Sequence, residues 1–254
     1  MRLRRFRRAV ALVFALATGI VRLGLLRVSG PLTPERRGKW FQETASRVIR
    51  SLGIAVRITG QAPTQGLVVS NHLSHIDAAI YAAIVPSVMV AKAEIRSWPV
   101  FGMMARACGT LFVDRSSRAS ALKVTEQVAD GLKGPLPVLF FPEGTSTDGS
   151  EVLRFHSRLF TPAVEAGMPV TTATIRYVIE DGTPERELCW FGDMLLVPHL
   201  WKALGVTGFH AEVIFGEPKI YQHRREAADA TRDEIAAVRN GAPVREEAET
   251  LQMV

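Results

Sequence analysis

The sequence predicts an α/β fold in which a mostly parallel sheet is flanked by helices, so that the domain has three layers. From residue 54 onward, short apolar runs typical of buried strands alternate with helical stretches, and glycine- and proline-containing turns separate them. Parallel strands need crossover connections of this kind. Polar clusters also follow three of the predicted strands, where ligands bind in open α/β sheets.

The first 52 residues predict an N-terminal membrane-associated pair of helices. Ala9 to Leu26 carries no charge except Arg22, and roughly 18 helical residues nearly span a hydrocarbon core. Gly30-Pro31 ends this helix, and an amphipathic helix follows through Ser51. The basic residues that precede the apolar run favour an anionic membrane surface as partner, and no nucleic-acid motif occurs elsewhere; they are Arg2, Arg4, Arg5, Arg7 and Arg8.

Three arrangements of this segment stay open: two helices in one leaflet, a spanning helix, or a cleavable signal peptide. We expect an anchor on the cytoplasmic face of the cell membrane, in a bacterium the inner membrane, with the arginine cluster inside. Arg22 would then extend to the lipid headgroups. The two cysteines are isolated, so neither a disulfide framework nor a structural zinc site is expected.

The remaining chain predicts seven strands and five helices. The strands are expected at 54–60, 67–70, 87–91, 110–113, 138–141, 170–178 and 211–215. The helices are expected at 76–84, 98–104, 119–132 and 155–166, and a charged surface helix begins at 224. We therefore divide the chain into anchoring helices at 1–52, a catalytic domain at 53–222, and a charged C-terminal helix with a tail at 223–254.

A histidine and a carboxylate follow the strand at 67–70. Ser74 and Asp77 form a capping-box pattern, which places Asp77 in the first helical turn and leaves His72 in the preceding loop. Residues five apart lie on different helix faces, so the two side chains meet only if His72 folds back. Histidine can then take and return a proton while the carboxylate fixes its tautomer. The alternative is that Asp77 only caps the helix.

Two further clusters are expected to share the crevice. Arg115 follows the strand at 110–113, and its planar guanidinium matches a phosphate or carboxylate. Glu143 follows the strand at 138–141 and would hold Arg115 or accept a hydrogen bond from an acceptor hydroxyl. The amides of Gly144 and Thr145 would bind the anion or a tetrahedral oxyanion. Each pattern alone is typical of a solvated turn, and their combination is what favours a site.

Four blocks in this order resemble the glycerolipid acyltransferase family, which includes 1-acylglycerol-3-phosphate O-acyltransferases. The blocks are Asn71-His72 with Asp77, Gly109 to Arg115, Phe141 to Ser146, and Gly167 to Val170. The resemblance implies that an acyl chain moves from an acyl carrier protein or coenzyme A thioester to a lysolipid hydroxyl. It favours 1-acyl-sn-glycerol-3-phosphate as the acceptor and phosphatidic acid as the product. His72 would be the base, Asp77 its partner and Asn71 a substrate-binding residue, with no cofactor and no metal.

One departure from the family pattern leaves a second acceptor open. Many members that act on phosphate-bearing acceptors show Phe-Lys-x-Gly after the third block, whereas this chain has Phe155-His156-Ser157-Arg158. Residues 145–160 and 190–201 look similar to bacterial lyso-ornithine lipid acyltransferases. Those enzymes acylate a headgroup that bears a carboxylate and an ammonium instead of a phosphate.

Three other functions are alternatives to acyl transfer. A hydrolase would need a nucleophile, but no Gly-x-Ser-x-Gly elbow is present; the candidates are Ser74, Ser146 and Cys108. A metal site could be formed from His72, His75 and Asp77, but no further ligand cluster appears in the sequence. The third rival is a non-catalytic membrane adaptor, and the intact set of candidate catalytic residues argues against it.

Overall fold

The structure, a computed structural model, describes residues 1–114, 118–242 and 250–252, with backbone alone for 118–122 and 250–252. Its strands are β1 Ile54–Thr59, β2 Leu67–Ser70, β3 Val88–Lys92, β4 Leu111–Val113, β5 Val138–Phe140, β6 Val170–Ile179, β7 Phe209–Phe215 and β8 Thr250–Gln252. They form one sheet in the order β4-β3-β5-β2-β6-β7-β1-β8. Neighbours are parallel except β6 against β7 and β1 against β8. The mostly parallel sheet is as predicted.

The helices are α1 Arg2–Val28, α2 Pro34–Leu52, α3 His75–Ile84, α4 Phe101–Cys108, α5 Arg118–Leu132, α6 Thr161–Glu165, α7 Leu196–Ala203 and α8 Arg224–Arg239. Short 3₁₀ helices lie at Ala93–Ser97, Ser157–Phe160 and Glu185–Leu188. The three-layer prediction is confirmed, because successive strand residues point to opposite faces and both faces are covered. Val68 packs with Ile49 of α2 and Ile80 of α3. Val69 packs on the other face with Val128 of α5 and Ile235 of α8.

Helix α1 lies against α2. A Cβ on Gly19 would meet the Thr44 methyl at 2.5 Å, so glycine is needed for the close approach of the two helices. The Trp40 Nε1 donates to the Gly19 carbonyl at 2.8 Å. Arg22, expected to reach for headgroups, pairs instead with Glu43 of α2. The opposite face of α1 is apolar and exposed.

Two arginines of the cluster at the start of α1 form hydrogen bonds within the protein, which was not predicted from the sequence. Arg4 donates to the Gly205 carbonyl at 2.6 Å, and Arg8 donates to the Val206 carbonyl at 2.6 Å. Carbonyls just beyond a helix carry partial negative charge, which attracts guanidinium groups. Arg2 and Arg7 are exposed. Arg4 and Arg8 therefore bind carbonyls of the protein, and the predicted contact of the cluster with an anionic surface stays a prediction.

Three predicted helices differ from the structure. The helix expected at 155–166 forms only in part: residues 155 and 156 stay outside any helix, with the His156 amide donating to the Pro142 carbonyl at 2.9 Å, and 157–160 form a 3₁₀ helix. Only 161–165 forms an α-helix. The helix expected at 98–104 begins at Phe101, after Pro99. Helix α8 is not a surface helix throughout, since Ala228 and Ile235 are buried in the core.

Candidate active site

The loop between β2 and α3 carries the candidate base. Its conformation follows from a capping box: Ser74 Oγ accepts from the Ile76 amide at 3.3 Å, and Asp77 Oδ2 accepts from the Ser74 amide at 3.0 Å. Asp77 Oδ2 also accepts from the Leu73 amide at 2.7 Å. These bonds turn the loop back over the first helical turn, as a capping box does.

His72 and Asp77 form a hydrogen-bonded pair. His72 Nδ1 lies 2.8 Å from Asp77 Oδ2, and the Asp77 side chain is 0% exposed. Asp77 accepts hydrogen bonds from two backbone amides, so it is also an acceptor toward His72. The proton of the neutral imidazole therefore belongs on Nδ1. Nε2, on the opposite edge of the ring, is then the atom that can accept a proton.

The His72 ring is held on its face as well as its edge. It stacks on Phe141 with the ring centroids 4.1 Å apart and the planes 15° apart. The side chain remains 18% exposed, so the imidazole is ordered but still reachable from the crevice. A base with fixed orientation and restricted access to water suits proton transfer to or from a bound substrate.

Glu143 positions the loop of the candidate base. Its Oε1 accepts from the His72 amide at 2.8 Å, and its Oε2 accepts from the Leu153 amide at 2.9 Å. The residue is buried, and burial raises the pKa of Glu143 to about 7. The hydrogen bonds from the two backbone amides lower this pKa, but the effect of burial is larger. Its expected contact with Arg115 lies outside the described residues. The structure gives Glu143 a positioning role.

The expected role of Asn71 in contacting substrate is also corrected. Its side chain is buried, donating to the Ile175 carbonyl at 3.1 Å and accepting from the Ile175 amide at 2.9 Å. This two-bond pairing ties the end of β2 to β6 and fixes where His72 leaves the sheet. Asn71 therefore holds the scaffold of the site.

The turn after Glu143 uses its backbone amides for hydrogen bonds within the protein. The Gly144 amide, expected to bind an anion, donates to the Phe141 carbonyl at 3.1 Å in a turn with a positive φ of 74°. Thr145 is exposed beyond it. The Thr147 amide donates to the His72 carbonyl at 2.9 Å, so this turn also braces the base. Arg115, the expected anion clamp, lies outside the described residues.

Three residues that sequence reasoning missed complete the surroundings of the pair. Tyr177 on β6 donates from its hydroxyl to Asp77 Oδ1. The Tyr177 amide donates to Glu185 Oε1 at 2.7 Å, and Glu185 Oε2 lies 2.7 Å from Arg239 Nη2. Burial, followed by the Asp77 charge, raises the pKa of Tyr177 well above its ordinary value, so the tyrosine stays a donor. No sequence signal singled out Tyr177, because β6 also contains three threonines and an arginine.

Arg239 joins three parts of the site from the end of α8. It donates to the Ile175 carbonyl at 2.8 Å and the Gly149 carbonyl at 2.6 Å, in addition to its ion pair with Glu185. The Ile175 carbonyl is the one that Asn71 also binds. Helix α8 was expected to be a surface helix, but its last residue braces the strand beside the candidate base.

The rival chemistries find little support in the described residues. Among 1–114, 118–242 and 250–252 no group of three histidine, cysteine or carboxylate side chains could hold a metal ion. Ser74 is the helix cap, and Ser146 Oγ donates to the Trp190 carbonyl. Burial raises the pKa of Cys108, which disfavours the thiolate that a cysteine nucleophile needs.

Comparison with known proteins identifies relatives of one kind. The sequence profile of a family described as "Acyltransferase" matches residues 53–176. A lyso-ornithine lipid O-acyltransferase of Pseudomonas aeruginosa is 37% identical over 199 residues, which is 73% of this chain and 75% of the relative. A 1-acyl-sn-glycerol-3-phosphate acyltransferase of Neisseria meningitidis is 32% identical over 185 residues, 72% of each chain.

A solved structure shares the fold. The crystal structure of the 1-acyl-sn-glycerophosphate acyltransferase PlsC from Thermotoga maritima matches 96% of this chain and 100% of its own, with a TM-score of 0.66. Its sequence is 19% identical, so the match shows a common fold alone.

Proposed function

The chain belongs to the acyltransferase family of these relatives, and from that premise we propose that it moves an acyl chain from a thioester to the free hydroxyl of a lysolipid with His72 as general base. It is an acyltransferase, and its family uses a lysolipid acceptor and an acyl donor. The His72–Asp77 pair is the observation that supports the assignment of the base. Asp77 orients the imidazole at Nδ1, and the partly exposed ring can be reached at Nε2.

The proposed reaction balances without a covalent enzyme intermediate. His72 Nε2 accepts the proton of the acceptor hydroxyl as that oxygen attacks the thioester carbonyl carbon. The C–O ester bond forms, the C–S bond breaks, and the proton passes from the imidazolium to the departing thiolate. Asp77, which accepts hydrogen bonds from the Leu73 and Ser74 amides, stabilises the imidazolium between these steps. A positioned base contributes about 10²–10⁴-fold, and alignment of the two substrates supplies much of the rest.

Two acceptors remain candidates, and we place lyso-ornithine lipid first. The relative with that activity is 37% identical, against 32% for the relative that acts on 1-acyl-sn-glycerol-3-phosphate. The Phe155-His156-Ser157-Arg158 departure favours the same order, which reverses the order expected from the sequence. 1-Acyl-sn-glycerol-3-phosphate is the second candidate because the third block otherwise matches the phosphate-acceptor pattern. The donor is an acyl carrier protein or coenzyme A thioester.

The chain is membrane-associated, and we propose that α1 lies in the membrane interface without crossing the bilayer. By length and composition α1 could cross, with a mean hydropathy of 2.2 over its most apolar window. Its inner face, however, packs on α2 and its N-terminal arginines bind the 204–207 turn. A helix bound along its length presents only its outer face to lipid, as interfacial helices do. We place the protein on the cytoplasmic face.

The test offers one labelled acyl carrier protein thioester to lyso-ornithine lipid and to 1-acyl-sn-glycerol-3-phosphate side by side. We expect acyl transfer by the purified chain, faster to lyso-ornithine lipid, and a loss of about 10²-fold or more in His72→Ala. His223→Ala, which removes an exposed histidine at the start of α8, is the matched control and should retain activity. Near-normal transfer by His72→Ala would refute the base assignment. No transfer by the unaltered chain would refute the function.

A further inference from the structure

The segment from Trp190 to Ala203, called here the α7 segment, carries an exposed apolar cluster outside the site described above. Leu195 is 71% exposed, Val197 74% and Trp201 51%, and Met194 is exposed beside them. Single exposed apolar side chains are ordinary, but four within eight positions form a patch of the kind that marks an interaction surface.

The inner side of the α7 segment is fixed to the loop that carries the candidate base. The Trp190 amide donates to the Leu73 carbonyl at 2.8 Å, and the Trp190 indole donates to the Met194 carbonyl at 2.8 Å. The rings of His199 and His75 meet edge to face with centroids 5.1 Å apart. The apolar patch and the catalytic loop are thus two sides of one packed unit.

The same segment adjoins the start of α1. Arg4 and Arg8 bind carbonyls of the turn that follows α7, and the Arg5 guanidinium lies 6.0 Å from the centre of the Trp201 ring. Beyond these contacts the outward side chains of α1, among them Phe6 and Val10, are apolar and exposed. The apolar patch on α7 is therefore continuous with the end of the helix that associates with the membrane.

We propose that the α7 segment is a second membrane contact, in which Leu195, Val197 and Trp201 enter the lipid interface beside α1. The lipid bilayer is the occupant because the patch adjoins α1 and because an aromatic ring beside a guanidinium suits the headgroup boundary. Through Trp190 and His199, this contact sets the catalytic loop against the membrane that contains the acceptor. The proposal rests on the membrane association and acyl transfer of the proposed function.

The first experiment measures vesicle binding of the full chain. Leu195→Ser/Val197→Ser is compared with Ile220→Ser on vesicles of phosphatidylethanolamine and phosphatidylglycerol. Ile220 is also exposed, but it follows Lys219, which pairs with the first residue of β6, at the opposite end of the strands from the catalytic loop. We expect the double variant to bind about 10- to 100-fold more weakly and the control to bind normally.

The second experiment locates Trp201 directly. Bromine-labelled lipids should quench tryptophan fluorescence in the unaltered chain, and Trp201→Phe should reduce that quenching, since Trp40 is buried and Trp98 and Trp190 are half-buried. The double variant should transfer acyl chains normally to a short-chain, water-soluble lysolipid and slowly to a vesicle-embedded one.

Equal vesicle affinity of the double variant and the unaltered chain, without quenching of Trp201, would overturn the proposal. A self-association that the double substitution abolishes, with vesicle binding intact, would assign the patch to a second copy of the chain and also overturn it. If the chain transfers no acyl group to any lysolipid, the proposed function fails, while vesicle binding and quenching still decide the role of the α7 segment.

Discussion

The Tyr177 hydroxyl donates to Asp77 Oδ1, the carboxylate oxygen that His72 does not use. His72 and the amides of Leu73 and Ser74 all meet Oδ2. The buried carboxylate therefore has hydrogen-bond donors at both oxygens, which fixes its plane. A tyrosine in the sheet thus takes part in orienting a histidine in the loop.

Tyr177→Phe should lower kcat by about tenfold with little change in KM, because Asp77 loses a hydrogen bond and holds His72 less firmly. The free energy of unfolding should fall by about 1–3 kcal/mol. Steady-state kinetics and urea denaturation measure these effects.

Tyr81→Phe is the matched control for that variant. Tyr81 is equally buried, but its hydroxyl contacts Ser70 Oγ at 2.7 Å and not Asp77. It should lose comparable stability and keep its kcat. If both variants lose the same activity, Tyr177 has only a structural role.

Glu143→Gln should reduce kcat by about 10- to 100-fold. One of the two backbone amides that donate hydrogen bonds to the carboxylate would then face an NH₂ group, which cannot accept a hydrogen bond. The control is Glu151→Gln, which alters an exposed carboxylate of the same loop. Unchanged kcat in Glu143→Gln would show that the His72 loop keeps its position without this carboxylate.

The same variant should change how stability depends on pH. Native Glu143 holds its proton up to about pH 7, whereas its ordinary pKa is 4.5, so the native state binds more protons between these values. The contribution of Glu143 to the free energy of unfolding is therefore complete below pH 4.5 and is lost as the pH rises to 7. This contribution is on the order of 3 kcal/mol. The stability of the unaltered chain relative to Glu143→Gln should fall across this window. A constant difference would contradict the raised pKa.

The His72–Asp77 contact could be predicted from the sequence because a capping box joins both residues within six positions. The contacts of Tyr177 and Arg239 could not, because they depend on which strands and helices pack together. Tyr177 lies 100 residues from Asp77, and Arg239 lies 64 residues from Ile175. Seven of the eight described strands were predicted from their apolar runs, whereas β8 lies in the segment that was expected to be a tail. The helix prediction was only partly right at 155–166, where a contact with the loop after β5 keeps residues 155 and 156 outside the helix.

Arg239→Gln should lower the free energy of unfolding by about 3–5 kcal/mol, because it leaves the Glu185 carboxylate without its partner in a partly buried place. Adding Glu185→Gln should restore part of the loss, with a coupling energy of about 1–2 kcal/mol. Arg232→Gln on the same helix, whose side chain binds the Val152 carbonyl, should cost less. Urea denaturation of the four proteins gives the double-mutant cycle, and additive losses would show that the ion pair is not coupled.

His75→Phe should remove a pH dependence of stability below neutrality. Both ring nitrogens of His75 are buried without a hydrogen-bond partner among the described residues, and burial, reinforced by His199, lowers its pKa to about 3. In the unfolded chain His75 takes a proton below about pH 6.5, whereas the native ring does not until about pH 3. The unfolded state therefore binds more protons between these values, and native stability falls as pH decreases through that window.

At pH 5 this term should cost the unaltered chain about 2 kcal/mol relative to pH 8, and His75→Phe should not suffer that loss. Phenylalanine keeps a ring that can pack against Trp190 and His199, which the native histidine contacts edge to face. His223→Phe, at an exposed position, should follow the unaltered chain at every pH. Urea denaturation from pH 8 to pH 5 makes the comparison. If the His75→Phe and unaltered curves stay parallel, His75 is reached by water or by an acceptor in the native state, since only solvation or a hydrogen bond would let its native pKa stay near 6.5.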